Sequence, residues 1–61
     1  MDEYVKGYRV QIISESKYGH MDVASFSLPN MEGALRCIRT FKPKRNYHVY
    51  RFIVEENREL V

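Results

Sequence analysis

One short helical stripe, with a proline on either side, divides this sequence into two strand-like segments before it and one after it. Its apolar residues recur at helical spacing, at Met31, Ala34, Leu35, Ile38 and Phe41. Asn30 precedes the stripe, and its side chain can accept an orphan backbone N–H at the start of a helix. Pro43 follows the stripe and cannot continue the helical ladder. The pattern predicts a single helix that begins after Asn30 and ends before Pro43.

Three other segments have the pattern of β-strands. Tyr8–Ile13 and Met21–Leu28 alternate apolar and polar positions, and Tyr47–Val54 is rich in aromatic and β-branched residues. The polar stretch Ser14–Gly19 suits a hairpin loop between the first two strands. The last residues, 55–61, are mostly polar, and we expect a frayed tail or a short helix there.

The element order is therefore β-β-α-β within one domain that spans residues 1–61. A right-handed crossover through the helix places the third strand parallel to the second. With the first strand between them, the sheet is antiparallel with strand order 2-1-3. The predicted fold class is α+β, with one helix packed on one face of a three-stranded sheet and the other face bare.

Strand alternation assigns side chains to the two faces of this sheet. The residues predicted to face the helix are Tyr8, Val10, Ile12, Ala24, Phe26, Leu28, Tyr50, Phe52 and Val54. The residues predicted on the bare face are Arg9, Gln11, Ile13, Val23, Tyr47, Val49, Arg51 and Ile53. Exposed apolar patches among polar groups mark interaction sites. The alternatives are a register shifted by one residue and a C-terminal tail folded over this face.

The charge of the chain is segregated along the sequence. Gly33–Val54 carries six basic residues and no acidic one, whereas the rest of the chain sums to −4. The basic residues of the helix and the following loop are Arg36, Arg39, Lys42, Lys44 and Arg45. They fit an acidic protein surface or a phosphate backbone, with Tyr47 or Tyr50 stacking on bases. A solvated cationic helix end is the commoner explanation of such a cluster.

Several function classes are disfavoured. Cys37 has no neighbouring base in a recognisable motif, and His20 and His48 lie on different segments, so we expect no enzyme, no metal site and no cofactor. A single cysteine forms no internal disulfide and suits a reducing compartment. The longest apolar runs have three residues and the N-terminus has no signal-peptide pattern. We therefore expect a cytoplasmic protein with no membrane contact.

Two motifs resemble a known family. Asn30–Leu35 is followed after eleven residues by Tyr47–Arg51. Together they resemble the small RNA polymerase inhibitor family of T-odd podoviruses, in which a capped helix start with an acid and Ala-Leu precedes an aromatic-x-Val-x-Arg strand. The resemblance implies a β-β-α-β fold that binds the host polymerase near its jaw through third-strand arginines. Arg51 is the matching position, and Ile53 stands where a second arginine is expected.

The leading hypothesis is a phage-type protein that acts in the bacterial host cytoplasm and inhibits a host protein, with RNA polymerase as the best single target. Arg51, Tyr47 and Val49 would contact the partner from the bare face. Residues that would steer towards or contact an acidic surface are Arg36, Arg39, Lys42, Lys44 and Arg45. The alternative is a DNA- or RNA-binding module that uses the basic residues 36–45. A third hypothesis is a homodimer in which the bare faces pack together.

Overall fold

The computed structural model describes residues 2–60 and confirms the predicted element order. The elements are β1 (Glu3–Ser16), β2 (Met21–Leu28), α1 (Met31–Arg39) and β3 (Tyr47–Leu60). β1 is the central strand of a sheet with the order β2-β1-β3, and both of its pairings are antiparallel. This is the predicted α+β fold. Within residues 2–60, no helix is long and apolar enough to cross a membrane.

The helix begins at the predicted cap and ends shortly before the predicted stop. Asn30 has extended backbone angles, and its Oδ1 accepts the Gly33 N–H at 2.8 Å. At the other end, the Thr40 N–H and hydroxyl donate to the Arg36 carbonyl at 2.9 and 2.8 Å. These bonds satisfy backbone groups that lack a partner within the helix. Phe41 therefore lies just beyond α1, although it belongs to the apolar stripe.

We expect Asn30→Ala to lower the free energy of unfolding by about 1 kcal/mol, because the Gly33 N–H would lose its acceptor. Urea unfolding followed by far-UV circular dichroism measures this change. Asn30→Asp is the matched control, since a carboxylate oxygen can accept the same bond. Equal losses in both variants would show that the cap bond does not contribute to stability.

The hydrophobic core is small and lies between α1 and the centre of the sheet. Among residues 2–60, three hydrophobic residues are buried, namely Val10, Ile12 and Ala34. The partly buried residues packed against them are Tyr8, Leu28, Cys37, Ile38 and Phe41. The strand register places the predicted helix-facing residues together, because cross-strand partners share a face of the sheet. That part of the sequence prediction is confirmed.

The helix covers only part of its own side of the sheet. Nine helical residues span about 14 Å, whereas the longest dimension of the molecule is 48 Å. Phe52 and Val54 lie on the helix side, yet they are 42% and 39% exposed. Phe41 extends the cover slightly, with its ring centroid 5.2 Å from that of Tyr50 and 5.7 Å from that of Phe52. The monomer therefore leaves apolar surface on both sides of the sheet.

The expected C-terminal tail is a strand, so the prediction of a frayed tail or short helix is wrong for residues 55–60; Val61 lies outside the described residues. β3 continues to Leu60 and pairs with the start of β1. The Tyr4 hydroxyl donates to Glu59 at 2.6 Å, which raises the pKa of the phenol, and Arg58 pairs with Glu3 at 3.6 Å. Polar cross-strand pairs thus join the end of β3 to the start of β1. Because residues 55–60 do not alternate between apolar and polar side chains, the sequence pattern does not indicate a strand there.

Candidate protein-binding face

One side of the sheet points away from α1, and we call it the open face. Its residues on β1 are Arg9, Gln11, Ile13 and Glu15, those on β2 are Met21, Val23, Ser25 and Ser27, and those on β3 are Val49, Arg51, Ile53 and Glu55. No other helix or strand of residues 2–60 packs on this face, because α1 lies against the buried residues of the opposite side.

The centre of the open face is apolar. Ile13 lies directly between Val23 on β2 and Arg51 on β3. Val49 and Ile53 flank Arg51 on the same side of β3, because alternate residues of a strand share a face. Val23 is 56% exposed and Val49 is 48% exposed. Apart from Tyr47, the structure confirms that the residues predicted on the bare face lie together there.

Arg51 is the cation within this apolar patch. Its guanidinium makes no ion pair with any residue of the described part of the chain. The neighbouring Arg9, by contrast, is bound to Glu55 at 2.8 Å. Arg51 is therefore available to a carboxylate of a partner, and the surrounding aliphatic side chains would exclude water from such a contact.

Tyr47 does not belong to the open face, and its predicted placement there is wrong. The β1–β3 register shifts between Glu15 and Ser16, so that Glu15 pairs with Val49 whereas Ser16 pairs with Tyr47. His48 is the extra residue, and a bulge of this kind moves the next side chain to the other face. Tyr47 therefore shares the helix side with the buried Ser16.

The basic residues of the helix and loop lie on the helix side, away from the open face. Lys44 forms an ion pair with Asp22, and its ammonium is 5.9 Å from the centre of the Tyr47 ring. The pKa of Lys44 is raised, first by its hydrogen bond to Asp22 and second by the negative charge of that carboxylate. Arg36 pairs with Glu32 at 3.5 Å. Two of the predicted basic contacts are thus partly neutralised within the chain.

Three basic residues of the same group, Arg39, Lys42 and Arg45, are exposed and form no ion pair within residues 2–60. The structure therefore separates the predicted contact residues into two sets. Arg51 and Val49 share the open face, whereas the basic helix and loop residues and Tyr47 occupy the helix side.

Some residues of the open face were not predicted to lie there. Met21 and Glu15 face each other at one end of it, and Glu55 lies beside Arg9 at the other. Met21 follows the same alternation as Val23 and could have been included on that signal. Glu55 was missed because it lies in the segment interpreted as a tail.

A shallow depression is also present, but it is too small for most ligands. Its volume is about 180 Å³, against roughly 300 to 1,000 Å³ for small-molecule sites. Its lining residues are Tyr8, Arg9, Ser27, Glu55, Glu56 and Asn57. Comparison of the chain with protein families, curated proteins and solved structures finds no match. The geometry of the open face is therefore the main guide to function.

Proposed function

We propose that this chain is a small non-enzymatic binding protein of phage type that uses its open face to occupy and inhibit a host protein. The observation that carries the proposal is an arginine without an ion-pair partner in residues 2–60, set among exposed aliphatic residues on an uncovered sheet face. Arginine surrounded by apolar residues is typical of the energetic centre of protein interfaces.

Bacterial RNA polymerase is the first target to test. The resemblance of residues 30–35 and 47–51 to the podoviral polymerase inhibitors supports this choice, because Arg51 occupies the position of a third-strand arginine in that family. The open face is the side of the sheet on which Arg51 lies. Direct binding to the purified polymerase tests this choice.

The basic helix side has a secondary role in this proposal. Arg39, Lys42 and Arg45 create a positive potential that accelerates association with an acidic surface without forming the central contact. Their reversal to glutamate should lower the association rate and its dependence on salt. Substitutions on the open face should instead raise the dissociation rate, since they remove buried contacts.

We expect Arg51→Glu and Val49→Asp each to weaken binding to purified bacterial RNA polymerase by at least roughly 30-fold, which corresponds to a hot spot of about 2 kcal/mol. Surface-bound polymerase and biolayer interferometry measure the affinity, and a promoter-dependent transcription assay measures inhibition. Arg39→Glu is the matched comparison, because it reverses a charge on the helix side and should lower only the association rate, leaving the dissociation rate unchanged. Far-UV circular dichroism checks that each variant retains its fold.

Two results would contradict the proposal. If the polymerase does not bind the protein, the target is wrong, and a pull-down from nuclease-treated bacterial lysate with the Arg51→Glu control should be used to find another. If Arg51→Glu has no effect on any protein partner while Lys42→Glu and Arg45→Glu abolish a steeply salt-dependent binding to DNA or RNA, the chain is a nucleic-acid-binding module instead.

A further inference from the structure

The outer edge of β3 has no partner strand within residues 2–60. β3 has 14 residues, whereas β2, at the opposite edge, has 8 and is followed by Pro29. The stretch Val49–Val54 contains one charge and no proline. Natural proteins usually block such an edge with charges, prolines or bulges, because an exposed apolar strand pairs with other chains. The bulge at His48 protects the start of this edge and the charged residues Glu55, Glu56, Arg58 and Glu59 protect its end, whereas the stretch between them is unprotected.

We propose that β3 pairs with β3 of a second copy, in an antiparallel arrangement about a twofold axis at Ile53, which forms a continuous six-stranded sheet. The charges along β3 support this arrangement. Arg51 precedes Ile53 by two residues and Glu55 follows it by two. Antiparallel pairing therefore places Arg51 of each copy opposite Glu55 of the other, so that two ion pairs form across the interface.

The register follows from the need for paired residues to share a face. In a twofold antiparallel pair of strands, the residue on the axis must therefore lie opposite the same residue of the second copy. With Ile53 on the axis, Phe52 lies opposite Val54 and Arg51 lies opposite Glu55, so that all pairs over residues 51–55 are apolar or oppositely charged. An axis at Phe52 would place Val49 opposite Glu55, and an axis at Val54 would place Ile53 opposite Glu55. Both alternatives set a charge against an aliphatic side chain.

The side chains at this edge can accept the second copy. The Glu55 carboxylate binds Arg9 through Oε2 and keeps 49% side-chain exposure, so another guanidinium can reach it. Phe52 and Val54, which the short helix leaves exposed, become neighbours across the interface. A twofold pairing also uses both β3 edges and closes the assembly, which leaves only the short β2 edges. The interface binds Arg51 to Glu55 of the second copy, so the dimer and the host protein compete for the Arg51 side chain, and the dimer can be tested without the host protein.

Sedimentation equilibrium tests the dimer with a matched pair of variants. We expect the unmodified chain to have twice the monomer mass, and Ile53→Arg to have the monomer mass, because two guanidinium groups would meet on the axis. Val23→Arg, on the same face but on β2, should remain dimeric. A monomer at every concentration, or a dimer that Val23→Arg dissociates and Ile53→Arg does not, would overturn the proposal.

A cross-link tests the register even if Ile53→Arg fails to fold. In a Cys37→Ala background, Ile53→Cys should form a disulfide-linked dimer under mild oxidation, because the introduced thiols face each other across the axis. Val49→Cys is the control, since the two copies of that position would be roughly 26 Å apart along the strands. Equal cross-linking of both variants, or cross-linking of Val49→Cys alone, would refute the register.

Discussion

Replacing Ile12 with alanine is expected to remove most of the folding free energy of this protein. The Ile12 side chain is 2% exposed and lies on the central strand, between Ala24 and Phe52 and beneath α1. Truncation of a buried isoleucine costs about 2 to 5 kcal/mol through lost apolar burial and the cavity left behind. A domain of 61 residues has a stability of only about 3 to 5 kcal/mol from its core. Ile12→Ala should therefore be largely unfolded in urea concentrations that leave the unmodified protein folded.

The adjacent residue provides a matched control. Ile13 is the same residue type on the same strand, but it points to the open face, where no other element of residues 2–60 covers it. Ile13→Ala loses only cross-strand contacts and should cost about 1 kcal/mol or less. Both variants should be compared at one protein concentration, because dimerisation would add to the apparent stability. Equal losses would contradict a core that lies only on the helix side.

The contrast between these two isoleucines was predictable from the sequence. Strand alternation places Ile12 and Ile13 on opposite faces, and the helical spacing of Met31, Ala34 and Ile38 provides the one apolar stripe that can cover a face. These periodicities are local, because the face on which a side chain lies is set by its position within its own strand or helix. The strand order was also predicted correctly, because the crossover through the helix makes the third strand parallel to the second and leaves room for the first strand between them.

Features that depend on distant partners were not predictable in this way. Glu59 accepts a hydrogen bond from the hydroxyl of Tyr4, which lies 55 residues away in the sequence. The local polarity of residues 55–60 therefore did not indicate a strand. The position of Tyr47 depends on one extra residue, His48, opposite the end of β1. A single bulge reverses the face of a side chain without changing the composition of the strand.

In the candidate site, too, features set by the local sequence pattern were predicted, whereas features set by distant partners were not. Arg51 and Val49 were assigned to the open face from alternation, and the register confirms their placement. The basic residues were treated as one charged surface, since they are close together in the sequence. Lys44, however, pairs with Asp22, which lies 22 residues earlier on β2. Net charge along a sequence therefore overestimates the charge that a folded chain presents to a partner.

The second large effect is expected at Gly7, where the main chain of β1 passes close to the end of β2. A Cβ atom added at this buried glycine would lie 2.8 Å from the Leu28 carbonyl oxygen and 3.8 Å from Pro29 Cα. The nearest atom belongs to the backbone and cannot rotate away. Relief would require movement of the segment that carries Asn30, the helix cap. We expect Gly7→Ala to cost about 2 to 3 kcal/mol, in the range of overpacked cores, as measured by urea unfolding.

Gly19→Ala separates this steric effect from a general effect of replacing glycine. Gly19 has a positive φ of 83°, and no atom lies within 4 Å of an added Cβ. Its replacement should cost about 1 kcal/mol, because a residue with a side chain is strained in the left-handed region. Gly7 is not in that region, so its larger loss would come from the contact with Leu28. A smaller loss for Gly7→Ala than for Gly19→Ala would show that the two strands can separate at little cost, and that the junction between β2 and α1 is not held in place by their close approach.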